Sequence, residues 1–257
     1  MSGINFLSDN LFKAGTKTLT TGVANAQFPL VNLNNDSPSV KFRSTGNTVV
    51  VQIDLIQVRD IDAVTVMGDK TETFGMTAVS YKTSVTTDFS SSPINNLTMD
   101  PSQNMGYSYI NQVSHRFVQM TFTGQGSYVE VGNIFIGELT NIEQNSLSIA
   151  SFNYEYADTS DTSESEYGQK FINERPLQKT LSGSLEYCTK TEQEILDTLF
   201  IRHGRHEPIW MIVDKDGEAM IGGDTKLTVY GYFNRVPVWT ASGGRTWNAT
   251  VRIKEAT

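Results

Sequence analysis

TVVVQIDLIQVRDIDAVTVMG, residues 48–68, is the stretch on which the fold turns. Successive side chains of a strand point to opposite sides, so Val49, Val51, Ile53 and Leu55 share one face, and the reading is a half-buried strand. After Arg59-Asp60-Ile61-Asp62 the apolar run Ala63-Val64-Thr65-Val66-Met67 resumes, and the stretch therefore predicts two strands. Working outward, Val118, Met120 and Phe122 alternate with Gln119, Thr121 and Thr123, and YVEVGNIFIG, residues 128–137, predicts two short strands broken at Gly132. Strands at short spacing, many turn residues and no strong helix before about residue 190 predict a mainly β protein with a β-sandwich or jelly roll over roughly the first 140 residues.

A chain of 257 residues buries a substantial core and is compatible with one large or two medium β domains; we expect two, 1–140 and 141–257. Hydrophobic content of 38% and charged content of 19% are ordinary for a globular chain. The single cysteine, Cys188, excludes an internal disulfide and fits assembly in a reducing cytoplasm. The opening MSGINFLSDNLFKAG lacks the basic start and apolar run of a secretion signal, so it is expected to be retained. No run of about 18 apolar residues occurs, and no membrane span is expected. A net charge of -8 argues against binding nucleic acid, which relies on clustered Lys and Arg.

YEYADTSDTSESEYG, residues 154–168, carries five acidic and no basic side chains. It reads as a long acidic loop, either reaching a partner or simply solvated. Residues 141–257 hold 12 basic and 17 acidic side chains, so these five acids account for the net charge of that half. From Thr180 to Cys188, Leu181, Gly183, Leu185 and Tyr187 fall on one strand face. Thr191-Glu192-Gln193-Glu194 reads as a capping box opening a helix over about residues 191–203, which buries Ile195, Leu196, Leu199 and Phe200 and ends at Gly204. PIWMIV, residues 208–213, predicts a central strand anchored by Trp210 and followed by a turn at Asp214-Lys215-Asp216-Gly217. Strands over residues 226–239 and 246–254 complete the domain, the last with Trp247, Ala249, Val251 and Ile253 facing in.

Chemistry-bearing constellations are weak. His203, His206 and Glu207 suggest a metal only until Gly204 and the flanking arginines are considered; a basic helix end is the simpler reading. His115 is isolated and expected to be structural. There is no G-x-S-x-G elbow, and Cys188 lies mid-strand with no histidine beside it. Asp60 and Asp62 sit at the strand junction, where turn chemistry explains them as well as glycosidase chemistry does. Asp214, Asp216 and Gly217 resemble the opening of a calcium loop, but the twelfth position is Thr225. No phosphate-binding glycine loop occurs. The sequons at Asn96 and Asn248 are expected to be unmodified without a secretion signal. We therefore expect no enzyme, no cofactor and no metal, and assign no catalytic residue.

FPLVNLNNDSPSVKFRSTG, residues 28–46, reads as scaffold: Phe28, Leu30 and Leu33 as anchors, Pro38 stiffening the turn and Phe42 plugging the core. Arg43 is open between two roles, satisfying loop carbonyls or contacting a saccharide or protein partner.

Several phrases together resemble the distal tail and baseplate proteins of tailed bacteriophages. They are Phe28-Pro29-Leu30-Val31-Asn32-Leu33, Phe42-Arg43-Ser44-Thr45, Ile53-Asp54-Leu55 and Tyr128-Val129-Glu130-Val131-Gly132-Asn133-Ile134-Phe135-Ile136-Gly137. In that family the position of Phe42 is usually tryptophan and that of Ile56 usually glycine. The resemblance implies an N-terminal galactose-binding-like jelly roll and a tail-tube-like C-terminal β domain with one flanking helix. It further implies a structural protein of the virion tail tip, assembled in the host cytoplasm into a homohexameric ring that joins the tail tube protein to the baseplate hub. A carbohydrate-binding module that recognises a host-surface saccharide is the alternative.

Overall fold

The computed structural model describes residues 4–69, 75–142, 153–167, 169–175, 177–213, 228–243 and 246–256. The turn expected at 214–217, Gly222-Gly223 and Thr225 lie outside the described residues. In chain order the elements are β1 (Ile4–Leu7), α1 (Leu11–Ala14), β2 (Thr16–Thr21), β3 (Phe42–Arg43), β4 (Thr48–Met67), β5 (Met76–Ser84), β6 (Asn95–Asn96), β7 (Thr98–Asp100), β8 (Met105–Gly124), β9 (Glu130–Val131), β10 (Asn133–Gly137) and β11 (Leu139–Ile142). There follow β12 (Asn153–Ala157), β13 (Asp161–Glu164), β14 (Lys170–Asn173), β15 (Gln178–Cys188), α2 (Lys190–His203), β16 (Ile209–Val213), β17 (Thr228–Phe233), β18 (Thr240–Gly243) and β19 (Thr246–Glu255). The protein is mainly β, and the chain divides into two compact units, Leu7–Thr140 and Met1–Phe6 with Asn141–Thr257. Residues 4–6 thus belong with the C-terminal unit, because β1 lies between β11 and β16 in its sheet.

In the N-terminal unit the two strands expected over residues 48–68 are one, β4, twenty residues long and paired along its length with the equally long β8. Its first half also pairs with β2 and its last residues with β10, while β8 pairs with β5 and β7. Val49, Val51, Ile53 and Leu55 from one half and Ile61, Val64 and Val66 from the other enter the same core cluster as Phe42, Val118, Met120 and Phe122. Burying each large apolar side chain contributes roughly 1.5–3 kcal/mol, and this cluster holds the sandwich together.

The polar residues form no junction: Arg59-Asp60-Ile61 pairs with His115-Ser114-Val113, followed by a register slip before Ala63 and preceded by a bulge between Asp54 and Arg59. At its start Ile56 has φ +72, a left-handed conformation that a β-branched side chain disfavours by about 1–2 kcal/mol. The Asp54 carboxylate offsets part of that cost by accepting the Ile56 N–H at 2.8 Å, and Arg116 grips it with two bonds of 2.8 Å. Ile56 occupies the position where the distal tail phrase has glycine, which the backbone here would accept without strain.

The C-terminal unit is built on a sheet with the order β11-β1-β16-β17-β19-β15-β12, with β18 added to β19. Its core gathers Ile4, Phe6, Leu181, Leu185, Ile209, Met211, Phe233, Val251 and Ile253, with Leu196 and Leu199 of α2 packed in. Trp210 is fully buried and stacks on its cross-strand partner Tyr230, whereas Trp247 is half-buried against the core.

Three sequence expectations shift here. The capping box is one half-turn earlier: Thr189 is the N-cap and Glu192 its partner, so α2 begins at Lys190. Thr189-x-x-Glu192 and Thr191-x-x-Glu194 have identical spacing, and only the end of β15 at Cys188 selects between them. Tyr187 does not face inward with Leu185; its φ is +59, the register slips between Leu185 and Cys188, and the ring is exposed while Cys188 takes the buried place. The acidic segment is largely strand: β12 pairs with β15 from Asn153↔Ser182 to Ala157↔Gln178, and β13 pairs with β14 as a hairpin. Tyr, Ser and Thr suit an exposed edge, where carboxylates stay in water and keep other strands from adding on.

Candidate functional site

Arg43 sits on β3, whose two residues pair with β9 in the register Phe42↔Val131 and Arg43↔Glu130. Alternation along β3 sends Phe42 into the core, where it is 1% exposed, and Arg43 toward the Glu130 carboxylate. The Arg43 Nε donates to Glu130 Oε2 at 2.7 Å, and Nη2 donates to the same oxygen. Its guanidinium lies 4.8 Å from the centroid of the half-buried Phe28 ring and 4.7 Å from that of Tyr128, a double cation–π stack. Lys41, one strand position pair away, places its Nζ 3.2 Å from Glu130 Oε1 and 3.2 Å from Asp69 Oδ2.

The result is a buried network of two cations and two carboxylates. The Glu130, Lys41 and Asp69 side chains are 3%, 7% and 8% exposed, which makes mutual pairing obligatory in a weakly solvated place. Backbone bonds brace it: Asn25 N–H donates to Arg43 O at 2.8 Å, Arg43 N–H to Phe28 O at 3.1 Å, and Ser44 N–H to Val129 O at 2.9 Å. Asn32 Nδ2 donates to Lys41 O at 2.8 Å. A Cβ on Gly132 would stand 2.3 Å from Pro38 O, so the close approach of the 28–46 stretch to β9 and β10 requires glycine. Arg43 therefore locks this loop, and its side chain remains 24% exposed beside Tyr128, itself 37% exposed.

The sequence pointed to Arg43 but not to Glu130, Lys41, Asp69 or Tyr128 as its setting. One signal was present: Glu130 stands between Val129 and Val131 in an apolar phrase, and a carboxylate there needs a cationic partner.

The other candidates are placed as follows. Asp60 and Asp62 lie within β4 and serve different partners, Asp60 accepting from Ser114 Oγ at 2.5 Å and Asp62 from the Leu139 N–H at 2.7 Å. They do not converge on one point. His115 Nδ1 is 2.8 Å from Thr83 Oγ1. His203 is buried with Nδ1 3.0 Å from Glu207 Oε2, and its Nε2 has no hydrogen-bond partner among the described residues. Among the described residues no cluster of three or more His, Cys, Asp or Glu side chains is arranged to hold a metal. Asp54 is held below the usual carboxylate range, first by its hydrogen bond from Arg116, whose own pKa is raised by the same bond. Burial, with the neighbouring Lys13 charge, lowers Lys17 to about 8, and its Nζ donates to Lys13 O at 2.9 Å and Asn34 Oδ1 at 2.6 Å.

A second candidate is the arm formed by β13 and β14. All eight of its strand residues are exposed, including Phe171 at 58% and Ile172 at 60%, and Tyr167 beyond β13 is 92% exposed. An isolated two-stranded hairpin is marginal in water, and Phe171 and Ile172 point to opposite faces. The arm has the chemistry of a docking element.

No family model matches the sequence, and no curated protein does. Among solved structures, the chain is similar to a CBM32 module of a family 31 glycoside hydrolase from Clostridium perfringens, at 10% identity and TM-score 0.43 over 51% of this chain and 99% of that one. It is also similar to a CBM32 module of a Clostridium perfringens GH89 protein in complex with GalNAc-β-1,3-galactose, at 11% identity and TM-score 0.41 over 51% and 100%. A third is an f-lectin (fucolectin) from striped bass serum, at 12% identity and TM-score 0.43 over 55% and 50%. Likeness at this level leaves the function of this chain to be argued from its own side chains.

Proposed function

We propose that this protein is a structural assembly component that acts by docking and not by turnover, and that copies of its C-terminal unit join head to tail into a closed ring. The observation that carries this is the exposed arm of β13 and β14 with Tyr167, Phe171 and Ile172, next to a sheet whose terminal strand β12 is exposed at all five residues. Heterologous contacts of this kind generate rings when the rotation closes. The phrases shared with distal tail proteins support placing such a ring in a bacteriophage tail tip, six copies around the tube axis, between the tail tube protein and the baseplate hub. In that setting the acidic surface of the C-terminal unit disfavours sticking to passing DNA phosphates. Imaging of the purified protein by electron microscopy tests this: rings are expected, and a field of monomers at every concentration would refute it.

A second reading is favoured by one observation, the partly exposed Arg43 stacked beside the exposed part of Tyr128. A guanidinium and an aromatic ring together suit a saccharide, the ring taking its C–H face and the cation its hydroxyls. Glycan-array binding that is lost in Tyr128→Ala with the fold intact would support it. Binding unaffected by Tyr128→Ala and Arg43→Lys, or no binding at all, would remove it.

A further inference from the structure

The C-terminal unit contains a cavity of about 240 Å³ lined by Gln178, Arg205, Tyr232, Asn234 and Lys254, among others. Arg205 and Lys254 are exposed, and among the described residues neither makes an ion pair. Glu255 also lines the cavity, its buried carboxylate accepting the Lys179 backbone N–H at 2.9 Å, so the lining carries two cations against one carboxylate and its balance is positive. On the arm the balance is the reverse. Asp161 is paired with Arg175, whereas Glu164 and Glu166 make no ion pair among the described residues and precede the nearly fully exposed Tyr167.

We propose that the cavity at Arg205 and Lys254 receives the arm tip Glu164-Ser165-Glu166-Tyr167 of a neighbouring copy of this chain. The inference rests on the ring reading above and names its contact. Three features argue for a second copy as the occupant. The charges are complementary, two unpaired carboxylates against two unpaired cations, with a tyrosine sized to enter the polar cavity. The chain's own tip is exposed, so its own cavity does not hold it. The arm follows β12, whose Ala157 pairs with the cavity residue Gln178, and each subunit thus offers both a donor arm and an acceptor cavity. Because the chain carries a net charge of -8, two copies repel at long range, and a local match of opposite sign is what association of like-charged subunits needs.

The test uses the full chain and two charge-reversal variants, Arg205→Glu with Lys254→Glu and Glu164→Lys with Glu166→Lys, with folding checked by circular dichroism. Association is followed by sedimentation over a concentration series. Each variant alone should associate at least about tenfold more weakly than wild type, and wild-type association should weaken as salt rises. An equimolar mixture of the two should recover assembly, because each acidic arm then meets a basic cavity and each basic arm an acidic one. Glutamine in place of the two cavity cations gives a milder version should the reversal disturb the fold. Variants that assemble like wild type, or a mixture that does not recover, would overturn the arm-to-cavity contact and leave the ring reading standing. Wild-type protein that stays monomeric throughout would instead overturn the ring reading.

Discussion

The Arg43 end of the sandwich and the arm of β13 and β14 are both rich in charge and aromatic rings, yet they treat these groups in opposite ways. Around Glu130 the four charged side chains of Lys41, Arg43, Asp69 and Glu130 hold one another, and the rings of Phe28 and Tyr128 close over the guanidinium. On the arm, Glu164, Glu166, Tyr167, Phe171 and Ile172 face water. Satisfied polar groups in a buried place fix a conformation, and the same groups left outside are available for another molecule. The first region serves stability and the second serves reach, so substitutions in the two should separate cleanly in what they disturb.

The largest effect belongs to the network. Glu130→Ala strands Lys41 and Arg43 beside Asp69 and should cost the sandwich about 3–5 kcal/mol, read as a shift of its denaturant midpoint. A loss below about 1 kcal/mol, the worth of a surface ion pair, would mean that the network is solvated and that the contrast with the arm is false. Next comes Ile56→Gly. Relief of the strained φ is opposed by the added freedom of glycine in the unfolded chain, so a gain of up to about 1 kcal/mol is expected, with destabilisation contradicting the reading of strain.

Smaller still is the effect of Lys17. Its folded pKa of about 8 lies below the ordinary lysine value of 10.5, so between these values the unfolded chain binds more protons and stability rises with pH. At lower pH the folded state carries the cost of the charged ammonium near Lys13. Since the group is largely in contact with solvent, the gain should stay below about 1 kcal/mol, and Lys17→Met should flatten the profile between pH 8 and 10. An unchanged slope would reassign it to other groups. Last, Phe171→Ser with Ile172→Ser should leave stability within about 0.5 kcal/mol of wild type while reducing self-association. A large stability loss would place these side chains in a core.

Much of this contrast was legible in the sequence and some of it was not. Strict alternation marked β15, β19 and the first half of β4, because a sheet with one wet face imprints period two on its residues. The continuity of β4 through Arg59-Asp60-Ile61-Asp62 was hidden, since a paired polar stretch between two register slips looks in sequence just like a turn. The acidic segment reads as loop because its strands bury nothing, and burial is the signal by which alternation is recognised. Arg43 was visible as one of two cations, with Lys41, on either side of the plug Phe42. Its partner Glu130 is 87 residues away, and no local pattern reports which strand β3 will meet.

The most direct test of the central claim is the mass of the purified 257-residue chain in solution, measured by light scattering across a concentration series at low and high salt. A closed oligomer that loosens as salt increases is the expected result. A single species of 28.5 kDa under all conditions would contradict it.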